Sequence, residues 1–122
     1  MPPSERVDDP TVPDDEVLWR RIHTTWIILK AGEESLSSAA FKDEQLSVHI
    51  ASMTTRETVL AKYPQHRLSA FTAGNARREG YIVMRDSTPE DASHALVLPK
   101  PKVTRSALVR QARKLRDLAR LI

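Results

Sequence analysis

The residues with most potential for chemistry in this 122-residue chain are Trp19, Arg21 and His23, which follow one another at intervals of two. Residues at this spacing point to the same face of a β-strand, so an indole, a guanidinium and an imidazole would share one side of it. A guanidinium binds carboxylate and phosphate groups strongly. The pattern therefore indicates a face that could hold an anionic ligand.

A ligand pocket at this face would need further side chains from other strands. Ser37, Ser38 and His94 are the candidates, because they belong to two other predicted strands that could lie nearby. The alternative, which we favour from the sequence, is an edge strand. In that case the guanidinium stacks on the indole and the imidazole hydrogen-bonds to the backbone.

No other motif predicts a reaction or a metal site. The four histidines share no metal-ligand spacing, and the chain has no cysteine. His49 is expected on the polar face of its strand, and His66 in an exposed loop after Pro64. The segment from Gly74 to Gly80 lacks the glycine spacing of a phosphate loop and is expected to be a turn with two exposed arginines, and no GxSxG motif is present. We infer no metal, no catalytic residue and no cofactor.

The last nineteen residues, Thr104 to Ile122, predict an Arg-rich amphipathic helix with Thr104 as its N-cap. At 100° per residue, one arc is apolar and is expected to be buried: Leu108, Ala112, Leu115, Ala119 and Ile122. The opposite half is cationic, and Asp117 is its one acid, placed to pair with Arg113 or Lys114. The candidate partner-binding residues are Arg105, Arg110, Arg113, Lys114, Arg116 and Arg120.

Several partners would suit this cationic helix face. They are nucleic acid, an acidic protein surface, an anionic membrane surface and the chain's own acidic end, and a plain solvated face is the alternative to all four. Residues 1–16 carry one arginine against six acids, a net charge of −5, whereas residues 100–122 carry +7. The membrane is the poorest of these candidates, because the apolar arc has no aromatic anchor.

Composition predicts one modest domain in a reducing compartment. The first fifteen residues contain four prolines and little that is apolar, so residues 1–15 are expected to be a disordered acidic tail. Residues 16–122 would form a single domain. No signal sequence and no apolar run of membrane-spanning length is present, and with no cysteine this favours the cytoplasm.

The order of the predicted elements favours an α+β fold. Strands are expected within residues 17–29, 37–41, 46–50, 67–73, 81–86 and 94–98. Thr54 and Glu57 predict a capping box and an internal helix that ends before Pro64. We therefore expect a mostly antiparallel, twisted sheet with one internal helix and the C-terminal amphipathic helix.

Five sequence blocks, LWRRIH, SSAAFKD, LSV, AFTAG and HALV, begin at Leu18, Ser37, Leu46, Ala70 and His94. In this order they resemble a group of small bacterial proteins, a resemblance that implies no particular activity. The chain is also similar to ADP-ribosyltransferase-type folds. That similarity implies that Arg21, His23, Ser37 and Ser38 would hold nicotinamide dinucleotide.

These observations lead to two functional hypotheses, and a purely structural module in a larger assembly is the third. The first is a small bacterial accessory or regulatory protein that binds an acidic protein or nucleic-acid surface through its basic C-terminal helix, either as a monomer or as an oligomer. The alternative is a small-ligand-binding protein, or an NAD-using enzyme of the ADP-ribosyltransferase type, with its site around Arg21, His23 and His94.

Overall fold

The structure is a computed structural model and describes residues 7–101 and 103–122. The described part contains eight strands: β1 Val17–His23, β2 Ile27–Lys30, β3 Glu33–Leu36, β4 Leu46–Ile50, β5 His66–Thr72, β6 Tyr81–Arg85, β7 His94–Pro99 and β8 Arg120–Leu121. It also contains three helices, α1 Arg56–Lys62, α2 Ala73–Arg78 and α3 Arg105–Leu118. None of these helices is both long enough and apolar enough to cross a bilayer.

Six of the strands form one antiparallel sheet in the order β6-β7-β4-β1-β5-β8, which confirms the predicted α+β class. Strands β2 and β3 form a separate hairpin. Its two-residue turn consists of Ala31 at φ 51° and Gly32 at φ 81°. Positive φ at both positions is typical of the type I′ turn, which matches the twist of paired strands.

The two faces of the sheet differ in how they are covered. Along β1, Leu18 and Ile22 are fully buried and belong to the main hydrophobic core, together with Ala112 and Leu115 of α3. We call this the core face. Trp19, Arg21 and His23 alternate with those residues and are half-buried on the opposite, outer face. Helix α1 contacts β5, and Val59 of α1 is buried.

A buried arginine on the core face anchors the chain that follows the hairpin. Arg20 is 6% exposed and donates to the carbonyl oxygens of Ala40 and Ser47, and to the carboxylate of Asp43 at 3.0 Å. Burial lowers the pKa of Arg20, and Asp43 opposes that change. A buried charge is tolerated only when it is paired and hydrogen-bonded, so these three bonds tie residues 40–47 to the sheet.

The second internal helix, α2, lies where the sequence predicts only a turn. Thr72 accepts a hydrogen bond from the Asn75 amide, and the Asn75 side chain accepts one from the Thr72 amide. This reciprocal capping starts a helix at residues whose types favour turns. A Cβ at Gly74 would lie 3.0 Å from Asp14, so glycine here permits close approach of the N-terminal segment.

Three local predictions need correction. The chain from Ser38 to Phe41 is a 3-10 turn and not a strand, with the Ser37 hydroxyl as its cap. Helix α1 is capped by Thr55, one residue after the predicted position. Helix α3 ends at Leu118, because Arg120 and Leu121 pair with β5 as strand β8.

The N-terminal segment contributes to the domain, whereas residues 1–15 are expected from the sequence to be disordered. Within its described residues, Val12 is 1% exposed and belongs to the main core. The Asp9 amide donates to the Val83 carbonyl, and the Asp8 carboxylate accepts from the Val83 amide. Residues 1–6 lie outside the described residues. The acids at positions 8 and 9 thus pair with the edge strand β6, a contact that composition alone does not reveal.

Candidate functional site

The helix α3 presents its cations to solvent. Thr104 caps it by accepting from the Ala107 amide at 3.1 Å, as predicted, and Ala112 and Leu115 bury the apolar arc. Leu108 and Ala119 are half-buried on the same arc. Because this arc packs in the hydrophobic core, the opposite half faces outward. Arg105, Arg110, Arg113 and Lys114 are exposed, and so is Arg120 beyond the helix, while Arg116 is half-buried.

Few of these cations have a counter-charge. Lys114 Nζ lies 3.9 Å from the Glu79 carboxylate, and Arg116 donates to Asp117 through Nε at 3.0 Å and Nη2 at 2.9 Å. Asp117 therefore pairs with its neighbour Arg116, whereas the sequence places it to pair with Arg113 or Lys114. The remaining four arginines make no ion pair with any residue that the structure describes: Arg105, Arg110, Arg113 and Arg120.

The acidic N-terminal segment does not neutralise α3 in its described part. Arg77 of α2 donates to Asp8 at 3.0 Å and to Asp14 at 2.8 Å, and Arg85 lies 3.8 Å from Asp9. Burial disfavours the charge of Arg77, but the hydrogen bonds to both carboxylates outweigh it and raise the pKa of Arg77. These acids are thus bound to cations of α2 and β6, which leaves the cationic face of α3 open.

A groove of about 710 Å³ begins at the N-terminal end of α3. It lies between the first turns of the helix, the linker before them and the chain after the 3-10 turn. Among the residues that the structure describes, its charged lining consists of three cations and one acid, Lys42, Lys100, Arg105 and Glu44, and all four are exposed. Its apolar lining comprises Pro99, Pro101, Val103, Leu108 and Val109. The groove thus combines apolar surface with an excess of positive charge.

The outer face of the sheet collects all four histidines of the chain around Tyr63. The ring of His23 lies 5.2 Å from His66, and Tyr63 lies 5.8 Å from His66 and 6.4 Å from His49. His49 in turn lies 6.2 Å from His94. These rings form a continuous row across β7, β4, β1 and β5, because opposite residues in antiparallel strands share a face.

Arg21 lies against this row. Its guanidinium carbon is 3.7 Å from the centre of the Tyr63 ring, a cation–π contact. The edge-strand alternative expects the Arg21 guanidinium to stack on the Trp19 ring. In the structure the guanidinium stacks on the Tyr63 ring instead. Trp19 is half-buried and pairs with His49 across β1 and β4.

Hydrogen bonds hold three of the imidazoles in place. His23 Nδ1 contacts the Thr25 hydroxyl at 2.9 Å and caps the following 3-10 turn, and His94 Nδ1 lies 3.0 Å from Asp86. His49 Nδ1 lies 3.0 Å from Asp91, so this nitrogen carries the proton and Nε2 is left with its lone pair. These hydrogen bonds therefore fix the orientation of three imidazole rings in the row.

Two of these histidines are less accessible than expected. His49 is 2% exposed although its position predicts a polar face, and His66 is half-buried although a loop position was expected. Burial lowers the pKa of His49, with Arg21 adding to the effect and Asp91 opposing it. Burial, Arg21 and His23 lower the pKa of His66. Both imidazoles therefore favour the neutral form.

The outer face brings together only part of the predicted ligand pocket. Arg21, His23 and His94 share the ring row, but Ser37 and Ser38 belong to the 3-10 turn whose Phe41 is packed in the core on the opposite side. Buried polar atoms without a partner in the described chain are found at Arg21 Nε, His49 Nε2 and His66 Nδ1. No group of three metal-ligating side chains occurs in the part of the chain that is described.

Sequence reasoning missed Tyr63, His49, His66 and Asp91 at the outer face, and Val109 and Lys42 at the groove. The alternation of side chains along β4 places His49 on the outer face, and pairing β4 with β1 in register would have placed it beside Trp19. No local signal places Tyr63 over Arg21, because the two are brought together by the chain between α1 and β5. The sequence matches no protein-family model, and no curated protein or solved structure shows significant similarity to it.

Proposed function

We propose that this protein is a small bacterial, cytoplasmic accessory or regulatory protein that binds an acidic surface, of a protein or a nucleic acid, through the cationic face of α3. One observation carries the proposal: Arg105, Arg110, Arg113 and Arg120 are exposed and have no counter-charge among the described residues. Arginines suit this task, because the guanidinium fork binds carboxylate and phosphate in two-point geometry.

A helix face that is only solvated would be expected to carry charges of both signs. Exposed helices usually interleave charges of both signs, and each pair at i, i+4 stabilises the helix slightly. Here Asp8, Asp9 and Asp14 of the N-terminal segment are held by Arg77 and Arg85, on other elements. The resulting positive field would raise the association rate with a polyanion and would weaken with salt.

The proposal is tested with the double variant Arg110→Glu/Arg113→Glu. The matched control is Lys30→Glu/Arg56→Glu, which changes the net charge equally at exposed positions outside α3 that make no ion pair in the described chain. Fluorescence anisotropy with labelled duplex DNA and with polyglutamate measures binding. We expect the α3 variant to bind at least about tenfold more weakly, which corresponds to about 1.4 kcal/mol.

The salt dependence provides a second readout. If about five phosphates are neutralised, the log–log slope of affinity against salt on duplex DNA would be near −4.5. An equal loss of affinity in the α3 variant and the control would show that only net charge matters, and unchanged binding by the folded α3 variant would refute the proposal. Circular dichroism establishes that each variant is folded.

The alternative, a small-ligand-binding protein or NAD-using enzyme around Arg21, His23 and His94, has weaker support. Ser37 and Ser38 lie on the other side of the sheet, and the Arg21 guanidinium is covered by the Tyr63 ring. The three cavities described on this protein are lined by other residues. Quenching of Trp19 and Trp26 fluorescence on titration with NAD would favour this alternative.

A further inference from the structure

We propose that the groove at the start of α3 binds an acidic amphipathic peptide segment of a partner protein. This inference rests on the proposed function and narrows it, because the cationic face alone is compatible with nucleic acid or protein. The groove adds apolar surface beside Arg105, one of the four arginines without an ion pair in the described chain, and that surface distinguishes between the two classes.

The apolar part of the groove is continuous with the cationic helix face. Arg105, Val109 and Arg113 are spaced four residues apart and therefore follow one another along one side of α3. Val109 is half-buried and lines the groove beside Arg105. Val103, just before the Thr104 cap of α3, is also half-buried in the groove lining. An apolar side chain that entered here would lose water contact with both valines.

The charge in the groove is not compensated. Lys42, Lys100 and Arg105 line it, are exposed, and make no ion pair within the described chain, whereas Glu44 is the one acid of its lining. A peptide that carries carboxylates between apolar side chains would complement both properties. Such a segment would place apolar groups against Val103 and Val109 and carboxylates near the three cations.

The size and composition of the groove favour a peptide over the other acidic partners. Its volume of about 710 Å³ lies within the range of pockets that bind compact ligands. Its lining in the described chain contains no aromatic residue, whereas single-stranded nucleic acid is usually bound by stacking on aromatic rings. Duplex nucleic acid would contact phosphates through arginines and would gain little from the valines.

The experiment compares two short fluorescein-labelled peptides by anisotropy. One alternates Glu with Leu, and the other replaces each Leu with Ser and so keeps the charge. We expect the wild-type protein to bind the Leu peptide about tenfold more tightly than the Ser peptide. Val109→Gln, which puts a polar side chain at this position and is a good helix former, should remove that preference, and Val103→Gln provides an independent variant outside the helix.

Binding of duplex DNA separates this inference from the proposed function. Val109→Gln should leave duplex binding nearly unchanged, because it removes no charge. If the wild type binds both peptides and duplex equally well, or if both glutamine variants keep the preference for the Leu peptide, the groove inference is overturned and the polyanion function stands. If the wild type binds no polyanion and no peptide, both are overturned.

Discussion

Arg77 Nε lies 3.0 Å from Asp8 Oδ1, across 69 positions of the chain. The same guanidinium also donates to Asp14 and to the carbonyl oxygen of Asp9. One arginine of α2 thus holds three points of the N-terminal segment, whose Val12 lies in the core. This contact decides that the acids at positions 8 and 14 are not available to shield α3.

Arg77→Gln should release the N-terminal segment from α2. The Arg77 side chain is 19% exposed and Asp14 is 78% exposed, so solvent screens part of the interaction. We expect a loss of about 1–2 kcal/mol in the free energy of unfolding, measured by urea denaturation, and faster hydrogen exchange at the Val83 amide. Arg78→Gln is the matched control, because Arg78 is an exposed neighbour without an ion pair in the described chain. Equal effects of the two variants would contradict this assignment.

Acidification should destabilise the outer face before it affects the carboxylates. The pKa values of His49 and His66 lie below the ordinary value of 6.5 in the folded state, so the unfolded chain binds more protons as the pH falls below that value. The free energy of unfolding should therefore decrease from pH 7 towards pH 5. His49→Gln should reduce this slope. A constant free energy of unfolding over this range would contradict the role of the buried imidazoles.

The pKa of Asp91 is lowered by its hydrogen bonds to Ser93 and by His49, against the effect of burial. The stabilisation of the fold by ionised Asp91 is therefore retained as the pH falls, until the pH approaches the ordinary carboxylate pKa of 3.8. The two kinds of group therefore act in separate pH ranges, and a titration by urea denaturation distinguishes them.

Tyr81→Phe should leave the protein equally stable or make it slightly more stable. Tyr81 is 1% exposed, and its hydroxyl has no hydrogen-bond partner in the described chain. Removing an unpaired buried hydroxyl relieves a desolvation cost, which we estimate at up to about 1 kcal/mol. A clear loss of stability would reveal a partner for the hydroxyl.

The same hydroxyl should affect stability at high pH. Burial, with Glu79 adding to it, raises the pKa of Tyr81 to about 12 from the ordinary value of 10.0. The folded state then holds its proton more tightly than the unfolded chain, so stability is lost as the pH rises above 10. The Tyr81→Phe variant should not show the part of the stability loss above pH 10 that comes from this hydroxyl.

Gly80→Ala should destabilise the protein more than Gly32→Ala. Gly80 has φ +93°, and a Cβ there would lie 2.5 Å from Gln111 Nε2 of α3. Gly32 has φ +81°, and no atom of the described residues lies within 4 Å of such a Cβ, so Gly32→Ala adds only the backbone strain of a left-handed residue. We expect about 1 kcal/mol for Gly32→Ala and a slightly larger loss for Gly80→Ala, because the atom in the way is the end of the flexible Gln111 side chain, which must shift. Urea denaturation measures both losses. Equal losses would mean that Gln111 moves aside without cost.

Sequence patterns that span only a few residues predicted their elements correctly. The period of two along Leu46, Val48 and Ile50 placed β4 and its core face, and the Thr104 cap placed the start of α3. Such patterns succeed because backbone capping and side-chain alternation depend on neighbours within a few residues. Helix α2 was missed because Gly74 and Asn75 favour a turn, and the helix depends on packing against β6 and α3.

The sequence by itself determined the α+β class, the strand faces and the sign of the charge on α3. Only the tertiary structure decided that α3 stops at Leu118, where the chain turns so that Leu121 pairs with Ser69, and that Arg77 binds Asp8 and Asp14, which are then not available to α3. It also decided that Tyr63 covers Arg21. These outcomes join residues tens of positions apart, and their energies depend on distance and burial in the folded chain, which no local pattern contains.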